Sequence, residues 1–210
     1  MAGKELVRSF DVDDTLVDRG PLLRAWGLVA QKAKHSRGQT IPPDSMQRMY
    51  HGLVSTPIKS PLEHLALQAH ARRKPMKYVQ AAVYEFGKEG GINVVNTGRS
   101  NKQRWVEMTR DQLDRYDIGP YFSRYYFKPT GVSSTESKLD VIKLLLEDGE
   151  AVEHYDDDPR TAIAIAHLFP EVSVNLVHHG LTGRMIPMQQ LAQYPNLQVV
   201  TCIGDGLHQK

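Results

Sequence analysis

The chain has 210 residues, 40% of them apolar, and a formal net charge of +2; this is enough for a sizeable core and, at a pI of about 8.6, too mild a basic balance to identify a nucleic-acid partner. Its single cysteine, Cys202, excludes an internal disulfide, and its setting beside Val199, Val200 and Ile203 predicts a buried, inert thiol. No run approaches the roughly 18 apolar residues of a membrane span, and Met-Ala-Gly-Lys-Glu lacks the apolar stretch of a secretory signal, so the expected location is cytoplasmic.

In chain order, Glu5 to Phe10 reads as an apolar strand, with Asp11-Val12-Asp13-Asp14-Thr15-Leu16 leaving its carboxyl end. The stretch from Arg19 to Lys74 reads as a helical insertion. Pro21 to His35 carries Leu22, Leu23, Trp26, Leu28 and Val29, and Ser60-Pro61-Leu62-Glu63 has capping-box spacing with proline at the first helical position. Turns at Ser36-Arg37-Gly38 and Ile41-Pro42-Pro43-Asp44 separate three helices. Met76 to Glu89 reads as a core helix that feeds the strand Ile92 to Asn96 through Gly90-Gly91. Further strands are expected at Arg124 to Phe127, Ala151 to Tyr155, Val172 to Val177 and, at an edge, Gln198 to Ile203. Amphipathic helices at Asn101 to Tyr116, Glu136 to Leu146 and Pro159 to Phe169 alternate with them. This alternation predicts an α/β, Rossmann-like parallel sheet flanked by helices, with a core of residues 1–18 and 75–210 and an insertion of residues 19–74.

Four polar clusters fall at the ends of the expected strands, where open α/β sheets bind ligands. Asp11 and Asp13 stand two residues apart, an arrangement suited to phosphoryl transfer: one carboxylate attacks phosphorus and the other handles the leaving-group proton. A calcium loop also begins with alternating acids, but Leu16 and Leu22 occupy the positions where it needs Gly and Glu. In Asn96-Thr97-Gly98-Arg99-Ser100 the Thr97 hydroxyl can bind a phosphate oxygen, Gly98 lets backbone amides approach an anion, and Arg99, Lys102 and Arg104 can hold an acidic substrate. Ser133 and Glu136 have capping-box spacing, so Lys138 falls in the first turns of a helix whose amino end favours anions; Lys128, before Pro129, is the other candidate cation. Asp158-Pro159 reads as an N-cap and first-position proline, leaving Asp156 and Asp157 at a strand end. Three adjacent carboxylates repel one another unless a cation neutralises them, and hard oxygen donors suit magnesium. No Gly-x-x-x-x-Gly-Lys phosphate loop is present to suggest a nucleotide kinase.

With these four clusters in this order, the chain resembles the haloacid dehalogenase (HAD) superfamily, phosphatase branch. The resemblance runs from Glu5 to about Val177, omitting the insertion. It implies that Asp11 is a nucleophile forming an aspartyl-phosphate, and that Asp13 protonates the departing oxygen and then activates water. It further implies that Thr97 binds phosphate and that a lysine, Lys138 by position, neutralises the phosphoryl group. Mg2+ is then held by Asp11, the main-chain carbonyl of Asp13 and Asp157, with Asp156 as the outer partner. The insertion is implied to be a small cap that covers the site and filters substrates by size. Two departures stand out: Asp14 replaces the glycine of many members, and Thr161 and Ala162 occupy a stretch where an acidic residue is common.

The expected function is a magnesium-dependent phosphomonoesterase acting on a small phosphorylated metabolite or nucleotide, with no membrane partner. An alternative is an end-processing phosphatase of polynucleotides, for which the Thr97-Gly98-Arg99 turn and the basic residues Arg72, Arg73, Lys74, Lys102 and Arg104 are the pointers. A phosphate-binding scaffold on a dead core is the non-enzymatic alternative, disfavoured because every catalytic position is filled.

Overall fold

Short runs of β-branched and aromatic residues, each stopped by a turn or by a carboxylate cluster, form six strands. They are β1 (Leu6–Phe10), β2 (Ile92–Ser100), β3 (Phe122–Lys128), β4 (Ala151–Asp156), β5 (Ser173–Val177) and β6 (Leu197–Val200). All pair in parallel, in the order β3-β2-β1-β4-β5-β6. The strand expected at Gln198 to Ile203 is β6, shifted by one residue at its start, and it lies at the edge. The computed structural model describes residues 5–18, 67–68, 70–178 and 191–203. The helix expected at Pro21 to His35 and the turns after it lie outside the described residues; of the helix expected after Ser60, Leu67, Gln68, His70 and Ala71 are described and are helical.

Among the described residues, four α-helices lie between the strands: α1 (Val79–Lys88), α2 (Gln103–Arg115), α3 (Ser134–Glu147) and α4 (Pro159–Leu168). The first begins three residues later than the Met76 expected from periodicity, because Tyr78 takes the left-handed conformation (φ 67°) at the N-cap and interrupts the helix there. It ends at Gly90, whose φ of 80° is the usual left-handed stop after a helix. The last two start at the residues that the capping signals indicate, whereas α2 starts after Lys102 with no side-chain cap. Ser133 accepts from the Glu136 N–H (3.1 Å) and Asp158 from the Arg160 N–H (3.0 Å), which satisfies amides left unpaired at each helix start.

Side chains alternate across the central strand and so build two cores. Val7 packs with Val94, Ile142, Leu145, Val152 and Ile165 on the α3 and α4 side. Phe10 packs with Val83, Phe86, Val95, Leu113 and Ile118 on the α1 and α2 side, its ring stacked on Tyr155 at 4.9 Å. Two buried residues, Arg8 and Ser9, break the apolar reading of β1; Arg8 has its Nε 3.0 Å from Glu153 and its other nitrogens on Glu89 and the Phe86 carbonyl. A buried charge is tolerated there because each end of the guanidinium finds an acceptor. Cys202 is half-buried, not buried as its apolar neighbours suggested. It follows the end of β6, at the edge of the sheet, where Val199 is itself exposed.

The chain divides into two compact units, Met1–Asp18 with Pro75–Lys210, and Arg19–Lys74. Among the described residues, no helix is long and apolar enough to cross a membrane.

Candidate active site

Because β2 and β4 lie on either side of β1, the chain leaves the central strand at a topological switch point, where loops diverge and leave a crevice. The loop after β1 is built to hold its carboxylates still. Val12, Leu16 and Val17 are fully buried, and the Leu16 and Val17 N–H groups donate to the Val12 carbonyl (2.9 and 2.8 Å). Asp14 has φ 60°, in the left-handed region that glycine adopts freely and that aspartate is among the few other residues to tolerate. Asp11 itself extends the pairing, its N–H donating to the Tyr155 carbonyl at 2.9 Å.

Two strand ends and one helix then bring four of the sequence-predicted residues together. Asp11, Asp156 and Asp157 are all buried, and one carboxylate oxygen from each lies within 4.8 Å of the others. Lys138, in the second turn of α3, reaches them from the opposite side: its Nζ is 3.2 Å from Asp11 Oδ1 and 2.7 Å from Asp156 Oδ2. The Asp156 carboxylate is engaged at both oxygens. Oδ2 meets Lys138 and His154 Nε2 (3.2 Å), and Oδ1 accepts from the Asp158 N–H (2.9 Å). His154 is fully buried and its Nδ1 lies 3.1 Å from Ser9 Oγ, so a polar column runs beneath the carboxylates.

The cluster is a set of opposed charges in a low-dielectric setting, and its titration follows from that. Burial alone pulls the Lys138 ammonium towards neutrality, but the Asp11 and Asp156 carboxylates outweigh it and hold the pKa above its ordinary 10.5. Burial alone pushes the Asp156 carboxyl up, yet Lys138 and the His154 hydrogen bond outweigh it and hold the pKa well below the ordinary 3.8. Asp156 therefore contributes stability that is complete above 3.8 and lost as pH falls towards its folded-state value; Lys138 contributes stability complete below 10.5 and lost as pH rises beyond it. The metal-free protein is expected to unfold in less urea at pH 3 than at pH 6, and Asp156→Asn to show a shallower acid loss. Equal acid slopes in the two proteins would contradict this assignment.

The second candidate lysine has different partners. Lys128 Nζ donates to the Pro129 and Val132 carbonyls (3.4 and 3.0 Å) and is buried in the loop after β3. Thr97 is buried near the end of β2, its hydroxyl accepting from the Arg99 N–H at 3.2 Å. The turn expected after Thr97 is instead a continuation of the strand with a bulge. Thr97 pairs with Phe127 and Ser100 with Lys128, so Gly98 and Arg99 are extra on β2. A bulge re-aims the side chains it carries, and Arg99 is directed onto Asp13. Its Nη2 is 2.8 Å from Asp13 Oδ1 and its Nε 3.3 Å from Oδ2. Lys102 and Arg104, by contrast, are exposed.

Four of the residues around the site were missed by sequence reasoning: Ser9, His154, Thr109 and Gln112. The only signal for the last two was their place on the apolar stripe of α2, three residues apart and flanked by Met108 and Leu113. Polar residues in such a stripe are buried only when something pairs with them.

No family model matches the chain, and no curated protein does. Solved structures do. A haloacid dehalogenase-like hydrolase from Streptococcus pneumoniae superposes with a TM-score of 0.55 at 15% identity, over 100% of this chain and 99% of that one. A HAD-hydrolase from Bacillus subtilis bound to magnesium gives 0.60 at 11% identity, over 98% of each chain. A predicted phosphatase from Clostridium acetobutylicum gives 0.58 at 13%, over 99% of this chain and 98% of that one. The chain therefore has the fold of the haloacid dehalogenase-like hydrolases, the fold that its four motifs implied.

Proposed function

We propose that this chain, with the haloacid dehalogenase-like hydrolase fold as its frame, is a magnesium-dependent phosphomonoesterase that works through an aspartyl-phosphate on a small phosphorylated metabolite or nucleotide. The observation that carries the reading is the convergence of Asp11, Lys138, Asp156 and Asp157 in one buried cluster at the carboxyl ends of the strands, with Asp13 on the same loop as Asp11. The reading is also supported by the fold shared with a magnesium-bound hydrolase.

The residues divide the chemistry as follows. Asp11 attacks phosphorus in line, forming a carboxylate–phosphorus bond as the bond from phosphorus to the alcohol oxygen breaks. Asp13 gives its proton to that oxygen, then removes one from the water that hydrolyses the acyl phosphate and regenerates Asp11. Lys138 and the Thr97 hydroxyl collect charge on the transferring group.

The donor set fits a divalent cation: three buried carboxylates each offer an oxygen within 4.8 Å of the others, and hard oxygens suit magnesium. Asp11, the Asp13 main-chain carbonyl and Asp157 would hold it, with Asp156 beside them. When bound it neutralises the phosphate and the attacking carboxylate. The capture of Asp156 by Lys138, His154 and the Asp158 amide supports giving it the outer role.

Phosphate release from a generic aryl phosphate tests this directly. Activity should vanish with a chelator and return with added Mg2+. Asp156→Ala should raise the Mg2+ concentration for half-activity about 10–100-fold, as loss of an outer partner does, and Asp157→Ala should raise it further. Full activity after exhaustive chelation would end the magnesium reading, and a weaker effect at Asp157 would reverse the two roles. A panel that includes 3′- and 5′-phosphorylated oligonucleotides separates the small-molecule reading from nucleic-acid end processing. Phosphate binding without turnover of any ester would leave a scaffold.

A further inference from the structure

The Arg99 guanidinium is almost entirely enclosed, its side chain 2% exposed against 18% for Asp13. While Nε and Nη2 face Asp13, Nη1 turns the other way, to Thr109 Oγ1 (3.0 Å), Gln112 Oε1 (2.9 Å) and Met108 Sδ (3.8 Å). Thr109 donates its own proton to the Trp105 carbonyl (2.7 Å), which leaves its oxygen to accept from Arg99. Thr109 and Gln112 are both fully buried. Burying such groups is unfavourable without partners, and apolar residues of similar size would pack the same stripe. Both meet Arg99. The arrangement links three separate elements, the loop after β1, the bulge in β2 and helix α2, through one cation, and its outward end is the carboxylate of Asp13.

We infer that Arg99, anchored by Thr109 and Gln112, is the positioning residue that sets the Asp13 carboxylate for its proton transfers, and that it does not hold the substrate phosphate. The inference rests on the phosphatase reading above. Two hydrogen bonds from a planar fork fix both oxygens of Asp13, and so fix the plane of the carboxylate as well as its place. A proton transfer depends on heavy-atom separations of about 2.6–3.2 Å, so a carboxylate free to rotate on its loop would meet the leaving oxygen only part of the time. Anchoring from a helix behind the arginine makes the setting rigid.

The consequence is a selective defect. Single-turnover rates of alcohol release, the step before the acyl phosphate is hydrolysed, are measured with Mg2+ on a nitrophenyl phosphate, which leaves without a proton, and on an alkyl phosphate, which needs one. Arg99→Lys keeps the charge but loses the fork. It should lower that rate on the alkyl ester about 100-fold, the scale of a misplaced catalytic group, and on the nitrophenyl ester less than about 5-fold. The inhibition constant of inorganic phosphate should stay within about 2-fold of wild type. In an Asp13→Asn background, Arg99→Lys should add little further loss on the alkyl ester, because the two residues act in one step. Gln112→Leu leaves Arg99 in place without its anchor and should give the same selective loss, about 10-fold on the alkyl ester, so the inference stays testable even where Arg99→Lys does not fold. Equal losses on both esters, a raised phosphate inhibition constant, full additivity with Asp13→Asn, or a wild-type profile in Gln112→Leu would each overturn it. Those results, obtained with an active wild type, leave the phosphatase reading intact; a wild type inert on every phosphate ester removes both.

Discussion

Asp11→Asn should abolish turnover, by at least about a thousand-fold on a nitrophenyl phosphate, while leaving the chain folded. The loss is large because one substitution removes two functions: an amide is a poor nucleophile towards phosphorus and a poor magnesium ligand. Folding should survive because the side chain keeps its size and Lys138 keeps its contact with Asp156, 2.7 Å away. Single-turnover phosphate release and a circular-dichroism melt on the same preparation check both halves. Substantial residual turnover in a folded Asp11→Asn protein would mean that another group attacks phosphorus.

Lys138→Met should cost both stability and activity, and the two losses should respond differently to magnesium. In the metal-free protein Lys138 lies in contact with two of the three buried carboxylates, so removing it leaves Asp11 and Asp156 without the cation that holds them. Breaking a buried ion pair from one side costs about 3–5 kcal/mol, which at roughly 2–4 °C per kcal/mol for a chain of this size is a drop in Tm of about 6–20 °C. Millimolar Mg2+ should recover part of that drop, because a cation bound only by the folded state stabilises it by mass action. Turnover should stay depressed about 100–1,000-fold even with the metal, since in the proposed mechanism the ammonium also stabilises charge on the transferring phosphoryl group. A metal-free Lys138→Met protein that melts with wild type would show that Lys138 does not neutralise the cluster.

What the sequence determined by itself was whatever is encoded within about ten neighbouring residues. Apolar runs predicted all six strands to within a few residues, because period and β-branching are local properties. The caps at Ser133 and Asp158 were legible because an N-cap bonds to an amide two or three residues ahead. The placing of Asp11, Thr97 and Asp157 at strand ends and of Lys138 near a helix start followed from the same local readings, ordered by the resemblance to a known family.

Tertiary structure decided what depends on residues far apart in the chain. The order β3-β2-β1-β4-β5-β6, which puts β2 and β4 beside β1, is a matter of sheet pairing and has no local signature. Whether Lys128 or Lys138 meets the carboxylates was open until the fold placed Lys138 Nζ on Asp156, 18 positions away, and Lys128 on the carbonyls of its own loop. Arg99 read as a residue for an acidic substrate, yet its guanidinium lies on Asp13, 86 positions away. Its direction comes from a two-residue bulge, which exists only as a mismatch between paired strands. Cys202 lies beside apolar neighbours in sequence but past the end of the edge strand, where fewer elements are available to cover it. A buried charge takes its meaning from its partner, and partners separated by a whole sheet are chosen only when the sheet closes.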